Sequence, residues 1–187
     1  MFMSAYKDYL IVLNPSNKVK DSIKLCKYGA SEFIGNYAGL NSTAHISLWH
    51  KQKLTPELID AFTSILQRKI SAIPSTNITI DGFKYFVHGN NLMTIYASVK
   101  SNYITDSWFK LVREQFNLKG NDFIPHITVT KSIHVDAFFT LWPKFNASPF
   151  QMSFVPESMS VLERDSDIPN AKWQVKNEIF FDGIHQL

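Results

Sequence analysis

The chain has 187 residues, of which 45% are hydrophobic and 19% charged, and its formal net charge is +3. This composition suits a single domain and excludes a disordered chain or a strongly basic nucleic-acid binder. The single cysteine excludes a disulfide framework, and no apolar stretch reaches the roughly 20 residues that span a bilayer. Since no secretory leader is evident either, we expect a cytoplasmic protein without membrane contacts, and a monomer without an obligate protein partner.

The chain opens with a predicted strand and helix. Residues 9–13 are a compact apolar run that ends at Asn-Pro, as a buried strand does. Ser16 is placed to cap a helix whose lysines we expect on the solvent face. Its predicted inner face consists of Val19, Ile23, Cys26, Ala30 and Phe33.

A glycine-bearing loop over 35–43 precedes the strand "AHISLWH" at 44–50. The next helix, predicted over 55–70, has Thr55 as cap and a proline in its first turn. Its predicted inner face consists of Leu58, Phe62, Ile65 and Leu66. Two short strands, 77–80 and 84–88, are predicted to flank a turn at Asp81-Gly82.

The remaining sequence predicts a similar order of elements. A strand over 92–100 precedes a helix over 105–120 that is closed by a glycine, and "DFIPHITVTK" at 122–131 is the next strand. A helix over 134–142 should stop at Pro143, and strands follow around 150–164 and 173–181. The predicted inner faces of the two helices are Trp108, Leu111, Val112 and Phe116, and Val135, Phe138, Phe139 and Trp142.

Matched element order in the two halves indicates an internal duplication, with halves of approximately 1–91 and 92–187 inside one domain of 1–187. We therefore predict an α+β fold of two pseudo-symmetric lobes, each with an antiparallel or mixed sheet and flanking helices. A central groove would lie between the lobes. The alternative is an ordinary α+β chain whose elements alternate by chance.

Each half contains one histidine followed, two residues later, by a hydroxyl. His45 and Ser47 stand in the first half, and His126 and Thr128 in the second, with apolar residues between them. Residues two apart on a strand share a face, so each strand presents an imidazole beside a hydroxyl. One such pair is more often incidental than catalytic, but its repetition in a duplicated layout indicates a site.

If the two strands face one groove, the pattern suits displacement at phosphorus. A histidine titrates near pH 6.5, so one imidazole can act as general base while the other acts as general acid. Hydroxyls donate hydrogen bonds to phosphate oxygens without adding charge. No metal is needed when the substrate is a reactive cyclic phosphodiester.

The segments His45-Ile46-Ser47-Leu48 and His126-Ile127-Thr128-Val129 resemble the paired motifs of the two-histidine (2H) phosphoesterase superfamily, which includes 2'-5' RNA ligases and cyclic phosphodiesterases. The resemblance covers most of the chain in element order but rests on these two tetrapeptides in sequence. It implies a bilobal fold, histidines as acid and base, and hydroxyls on the phosphate. Which histidine plays which role stays open.

Four further residues are weighed as substrate contacts. Lys131 occupies a place where relatives of that superfamily often carry a basic residue, and His50 is its counterpart in the first half, where relatives are commonly apolar. Odd spacing turns both away from the motif face unless a bulge intervenes. Tyr37 and Trp49, the latter on the predicted face of His45, could stack on a base, although groove wall or core is the commoner role of such residues.

The sequence thus favours a metal-independent phosphodiesterase without cofactor, acting on cyclic phosphates or on 2'-5' or 3'-5' phosphodiesters of nucleotides or RNA ends. 2'-5' RNA ligation is an alternative because it reverses the same chemistry. A non-catalytic protein that binds RNA or a nucleotide in the same groove is another. Incidental histidines in an α+β protein remain the simplest alternative.

Overall fold

The computed structural model describes residues 6–89, 91–118 and 122–181, and within these ranges the chain forms eight strands and four helices. The strands are β1 (Lys7–Leu13), β2 (Ile46–Leu54), β3 (Ile78–His88), β4 (Leu92–Val99), β5 (His126–His134), β6 (Gln151–Phe154), β7 (Ser158–Asp165) and β8 (Gln174–Phe180). The helices are α1 (Asn17–Ile34), α2 (Pro56–Ser71), α3 (Tyr103–Glu114) and α4 (Val135–Asn146). None of these helices is long and apolar enough to span a membrane.

The strands form two four-stranded antiparallel sheets, and each sheet takes strands from both halves of the chain. The first has the order β2-β1-β7-β8 and the second β5-β4-β3-β6. Helix α2 contacts β8 of the first sheet, α4 packs on the second sheet, and α1 contacts β5, β6 and α4. The predicted α+β bilobal architecture is confirmed. Because each sheet combines strands from both halves of the sequence, the chain crosses between the lobes more than once.

Two predicted strand boundaries are wrong. The two short strands expected around Asp81-Gly82 are one strand, β3, in which Gly82 adopts a φ of +68° at a bulge opposite β4. Glycine tolerates this φ, so the chain bends without turning back. The single strand expected around 150–164 is two strands in different sheets, β6 and β7, because the chain leaves one sheet near Pro156 and enters the other.

Two helix ends also differ from the prediction. Helix α4 continues through Pro143 to Asn146. Phe145 in the added turn is buried and packs against Phe83, with ring centroids 4.8 Å apart, which offsets the hydrogen bond that proline cannot donate. Helix α3 begins at Tyr103 and ends at Glu114, and the predicted closing glycine at 120 lies outside the described residues.

Several helix faces are rotated from the expected ones. Phe33 of α1 is 54% exposed, whereas Lys27 on the supposed solvent face is 2% exposed. Similar rotation leaves other predicted inward residues exposed: Leu58, Ile65, Leu111 and Phe139. Residues such as Ile59 and Ile70 of α2 and Leu141 of α4 fill the core instead.

Candidate functional site

The two histidine strands lie at facing edges of the two sheets. β2 is an edge strand of the first sheet and β5 an edge strand of the second, and their Cα atoms approach within 8 Å. His45 directly precedes β2, and His126 is the first residue of β5. Both motifs therefore stand where the lobes meet.

A bulge in β2 follows the first hydroxyl of the motif. Val12 of β1 pairs with Ser47, but the next residue back, Ile11, pairs with Trp49, so Leu48 is the extra residue. Paired residues lie on the same face of a sheet, and neighbouring residues of β1 lie on opposite faces. Trp49 is consequently on the face opposite Ser47, and the expectation that it shares the histidine face is wrong.

The same bulge returns His50 to the face of Ser47. His50 pairs with Leu10, which lies two residues from Val12 along the regular β1 ladder. Trp49 instead stacks on Phe62 of α2, with ring centroids 5.4 Å apart. Trp49 thus serves the packing between β2 and α2, while His50 is exposed on the motif face.

Strand β5 carries an equivalent bulge. Thr128 pairs with Tyr96, whereas Thr130 pairs with Ile95, so one extra residue again follows the motif hydroxyl. Lys131, which comes next, lies at a second register shift opposite Thr94, and alternation from Thr130 places it on the face of Thr128. The bulge on which this placement depends is therefore present in both histidine strands, in the same position relative to the motif.

Both histidines are held in the same tautomer. Nδ1 of His45 lies 2.7 Å from the carbonyl oxygen of Thr43, and Nδ1 of His126 lies 2.7 Å from that of Ile124. A carbonyl oxygen only accepts, so Nδ1 donates and carries the hydrogen in the neutral ring. Nε2 of each ring makes no hydrogen bond to another described residue and is left to exchange protons.

The surroundings favour the neutral form of both rings. Burial lowers the pKa of His126 below its usual 6.5, although the Ile124 carbonyl opposes the change. Burial also lowers the pKa of His45, against the Thr43 carbonyl. The positive charges of Lys27, His126 and Lys131 lower the pKa of His45 further.

The motif hydroxyls and Lys131 have side chains without partners among the described residues. Ser47 and Lys131 are exposed and Thr128 is half-buried. Lys131 lies beside the loop that precedes His45, since a Cβ added to Gly39 would be 3.8 Å from the Lys131 Cβ. Two donors and one cation are thus available near the two free imidazole nitrogens.

Lys27 is a residue that the sequence analysis missed, because it was placed on the solvent face of α1. Its Nζ donates to the carbonyl oxygens of Gly39 and Ser42, at 2.9 and 2.8 Å, and to the Ser42 hydroxyl at 2.8 Å. Burial lowers its pKa to about 8. Lys27 fixes the loop whose Thr43 carbonyl orients His45, and a single lysine in a lysine-bearing helix gives no sequence signal of this role.

Tyr37 links the same loop to the other lobe. Its hydroxyl lies 3.0 Å from the Lys27 carbonyl oxygen and 3.3 Å from that of Val129 in β5. The side chain also packs against the core. These contacts favour the groove-wall interpretation of Tyr37 over base stacking.

An aromatic wall supports His126 and was also missed. The His126 ring centroid lies 5.0 Å from those of Phe86 and Tyr96, which stack on each other at 4.3 Å. Tyr96 and Phe86 come from β4 and β3, so the wall exists only once the second sheet has formed. Its apolar surface contributes to the burial that keeps His126 neutral.

Comparison with known proteins matches the sequence to one family. The family model of the 2'-5' RNA ligase superfamily matches residues 18–168, which include both motifs. No curated protein matches the sequence.

Solved structures share the fold at low sequence identity. E. coli LigT complexed with 3'-AMP is 13% identical with a TM-score of 0.64, covering 94% of this chain and 98% of LigT. TT0787 of Thermus thermophilus is 14% identical with a TM-score of 0.66, covering 95% and 100%. Kluyveromyces marxianus Usb1 is 10% identical with a TM-score of 0.52, covering 94% and 98%.

Replacing Lys27 tests its role in holding the loop. Lys27→Met should lower the free energy of unfolding by about 1–3 kcal/mol, since the Ser42 carbonyl and hydroxyl lose the donor that Lys27 supplies and the Gly39 carbonyl keeps only its donors from Ser42. It should also raise the pKa of His45, because a nearby cation is removed. Lys24→Met, an exposed lysine of the same helix, is the matched control and should change stability by less than about 0.5 kcal/mol. Denaturant unfolding and an NMR titration of the histidines measure both effects; equal behaviour of the two variants would contradict this role.

Proposed function

The chain belongs to the 2'-5' RNA ligase superfamily, and we propose that it is a metal-independent phosphodiesterase acting on cyclic phosphates or on 2'-5' or 3'-5' phosphodiesters of nucleotides or RNA ends. The observation that carries this proposal is the pair of equivalent imidazoles. Each has Nδ1 fixed by a main-chain carbonyl two residues earlier and Nε2 without a partner in the described chain. Such rings are prepared to take up a proton and to release one.

The proposed reaction is an in-line displacement. Nε2 of one neutral histidine accepts a proton from water as the water oxygen forms a bond to phosphorus. The phosphorus–oxygen bond to the leaving alkoxide breaks, and Nε2–H of the other, protonated histidine donates its proton to that oxygen. The Ser47 and Thr128 hydroxyls donate to the non-bridging oxygens, and Lys131 balances their charge.

The electrostatics distinguish the two histidines. Burial lowers the pKa of both histidines, and a proton on either ring disfavours a proton on the other, but the charges of Lys27 and Lys131 lower the pKa of His45 in addition. The cations disfavour protonation of His45, so we assign it as general base. His126 then holds the proton and acts as general acid.

The fold neighbours support a nucleotide substrate. E. coli LigT has been crystallised with 3'-AMP, with ATP, with NADP+ and with phosphate. These ligands share a phosphate group, and all but inorganic phosphate carry an adenine nucleotide. The shared fold therefore supports the same class of ligand, a phosphate with or without an attached nucleoside, for this chain.

Ligation is the second candidate because the family description names it. Joining an RNA end to a 2',3'-cyclic phosphate exchanges an incoming hydroxyl for water and uses the same acid and base. Incubating cleaved RNA halves and analysing the products distinguishes a 2'-5' linked product from a hydrolysed end. A non-catalytic binder would instead hold nucleotides without turnover by the wild-type protein.

Removing either imidazole tests the mechanism. His45→Ala and His126→Ala should each reduce kcat on a 2',3'-cyclic nucleotide roughly 100- to 10,000-fold, with EDTA present throughout, because each removes a positioned proton-transfer group. His134→Ala is the control, since His134 is an exposed histidine at the start of α4. Turnover by His126→Ala at the wild-type rate would overturn the mechanism.

The pH dependence tests the assignment of roles. Since both pKa values lie below 6.5, the state with neutral His45 and protonated His126 is most populated below pH 6.5 in the free protein. The kcat/KM profile should therefore peak below pH 6.5, and the kcat profile should peak higher because a bound anion raises both pKa values.

The pH profile of Lys131→Met tests the assignment of base and acid more directly. Its charge lowers the pKa of His45, so its removal should move the acidic limb of kcat/KM to higher pH and leave the basic limb in place. Movement of the basic limb instead would reverse the roles of the two histidines.

A further inference from the structure

A second group of side chains lies on the motif face of the first sheet, further along the strands. Arg164 of β7 pairs with Asp8, and His50 of β2 pairs with Leu10. Asp8, Leu10 and Val12 are each two residues apart along the regular β1–β7 ladder, so they share one face of the sheet, and Val12 is the partner of Ser47. All these residues therefore share the face of Ser47.

Trp173, just before β8, lies among them. The Arg164 guanidinium carbon is 4.6 Å from the centroid of its ring, and the His50 ring approaches edge-on with centroids 6.0 Å apart. Trp173 is half-buried and His50 is exposed. The Trp173 indole, with the Arg164 guanidinium against its ring, is therefore partly exposed to solvent on the motif face.

Arg164 is fixed before any ligand arrives. Its Nε and Nη2 donate to the same Asp8 carboxylate oxygen at 3.0 and 2.9 Å, and the Ser166 hydroxyl and Lys53 N–H donate to the other at 2.8 and 3.3 Å. Burial would raise the pKa of Asp8, but these donors lower it, so Asp8 stays ionised. A held guanidinium loses little conformational freedom when a planar ring stacks on it.

We infer that Trp173 and Arg164, with His50 at the edge, form a stacking platform for the nucleobase attached to the phosphate held at the histidines. This inference rests on the proposed function, which places a nucleotide phosphate at Ser47. Two residues of β1, about 7 Å, separate Val12 beside Ser47 from Leu10 beside His50. A nucleoside extends that far from its own phosphate.

The chemistry of the platform favours a general rather than a selective base site. Every base has a π face, and stacking on an aromatic ring with a nearby guanidinium tolerates all of them. The platform consists of the Trp173 ring, the Arg164 guanidinium that is already bound to Asp8, and the His50 imidazole. These groups offer few hydrogen bonds to the edge of a base, so we expect them to distinguish weakly between bases. The substrate class is then a nucleotide or RNA end with little preference for its base.

The test compares ligands with and without a base. Trp173→Ala should weaken binding of 3'-AMP roughly 5- to 100-fold, the range expected for loss of one base–aromatic stack, and leave binding of ribose 5-phosphate and inorganic phosphate unchanged. Trp173→Phe should restore part of the 3'-AMP affinity. Phe139→Ala, an exposed aromatic on α4, is the matched control and should bind all three ligands like the wild type. Isothermal titration calorimetry provides the affinities.

Two results would overturn the platform. One is unchanged 3'-AMP affinity in Trp173→Ala; the other is an equal loss for all three ligands, which marks a structural role for the indole. Failure of the proposed function would give a different result. The wild-type protein would bind 3'-AMP, and Trp173→Ala would weaken that binding, but no phosphodiester would be hydrolysed. If the wild type hydrolyses a phosphodiester but Trp173→Ala binds 3'-AMP as tightly as the wild type, the platform is refuted and the proposed function is not.

Discussion

One irregularity, a β-bulge directly after the hydroxyl of each motif, determines what lines the groove. A regular strand would place Lys131 and His50 on the far side of their sheets. The extra residue in each strand reverses the alternation, so that the fifth residue after each histidine returns to the motif face. The buried side chains of Leu48 and Val129 occupy the bulge positions, which anchors both irregularities in the core. The two halves thus share a local defect as well as an element order.

The histidines depend on contacts that cross the lobe boundary. The carbonyl that orients His45 belongs to a loop held by Lys27 from α1 and by Tyr37, whose hydroxyl also reaches β5. Helix α1 itself contacts β5 and α4 of the other lobe. Since each sheet also borrows strands from both halves, the two imidazoles are parts of one rigid arrangement rather than of two independent units. A reaction that needs an acid and a base on opposite sides of phosphorus requires such fixed separation.

The sequence predicts those parts of the site that depend on local strand alternation. It does not predict the parts that depend on residues far away in the chain. The His-x-hydroxyl spacing predicts that imidazole and hydroxyl share a face, because strand alternation is a local property. The bulges depend on which residue of β1 or β4 pairs with which, so the same alternation misplaces Trp49 and leaves Lys131 undecided. Lys27 is indistinguishable in sequence from its exposed neighbours, since its acceptors lie in a separate loop. Strand exchange between the sheets and the continuity of β3 are likewise set by non-local pairing.

The two motifs present their imidazoles in the same way, whereas the proposed mechanism needs one base and one acid. The main-chain contacts do not break the equivalence, because both Nδ1 atoms donate to a carbonyl at 2.7 Å. The surroundings do: cationic side chains from both lobes act on His45, and aromatic rings pack around His126. Two lysine cations oppose a positive charge on His45, whereas the aromatic rings beside His126 act through burial, which lowers the pKa of both histidines. In the proposed mechanism, the asymmetry between base and acid therefore resides in neighbours outside the two motifs.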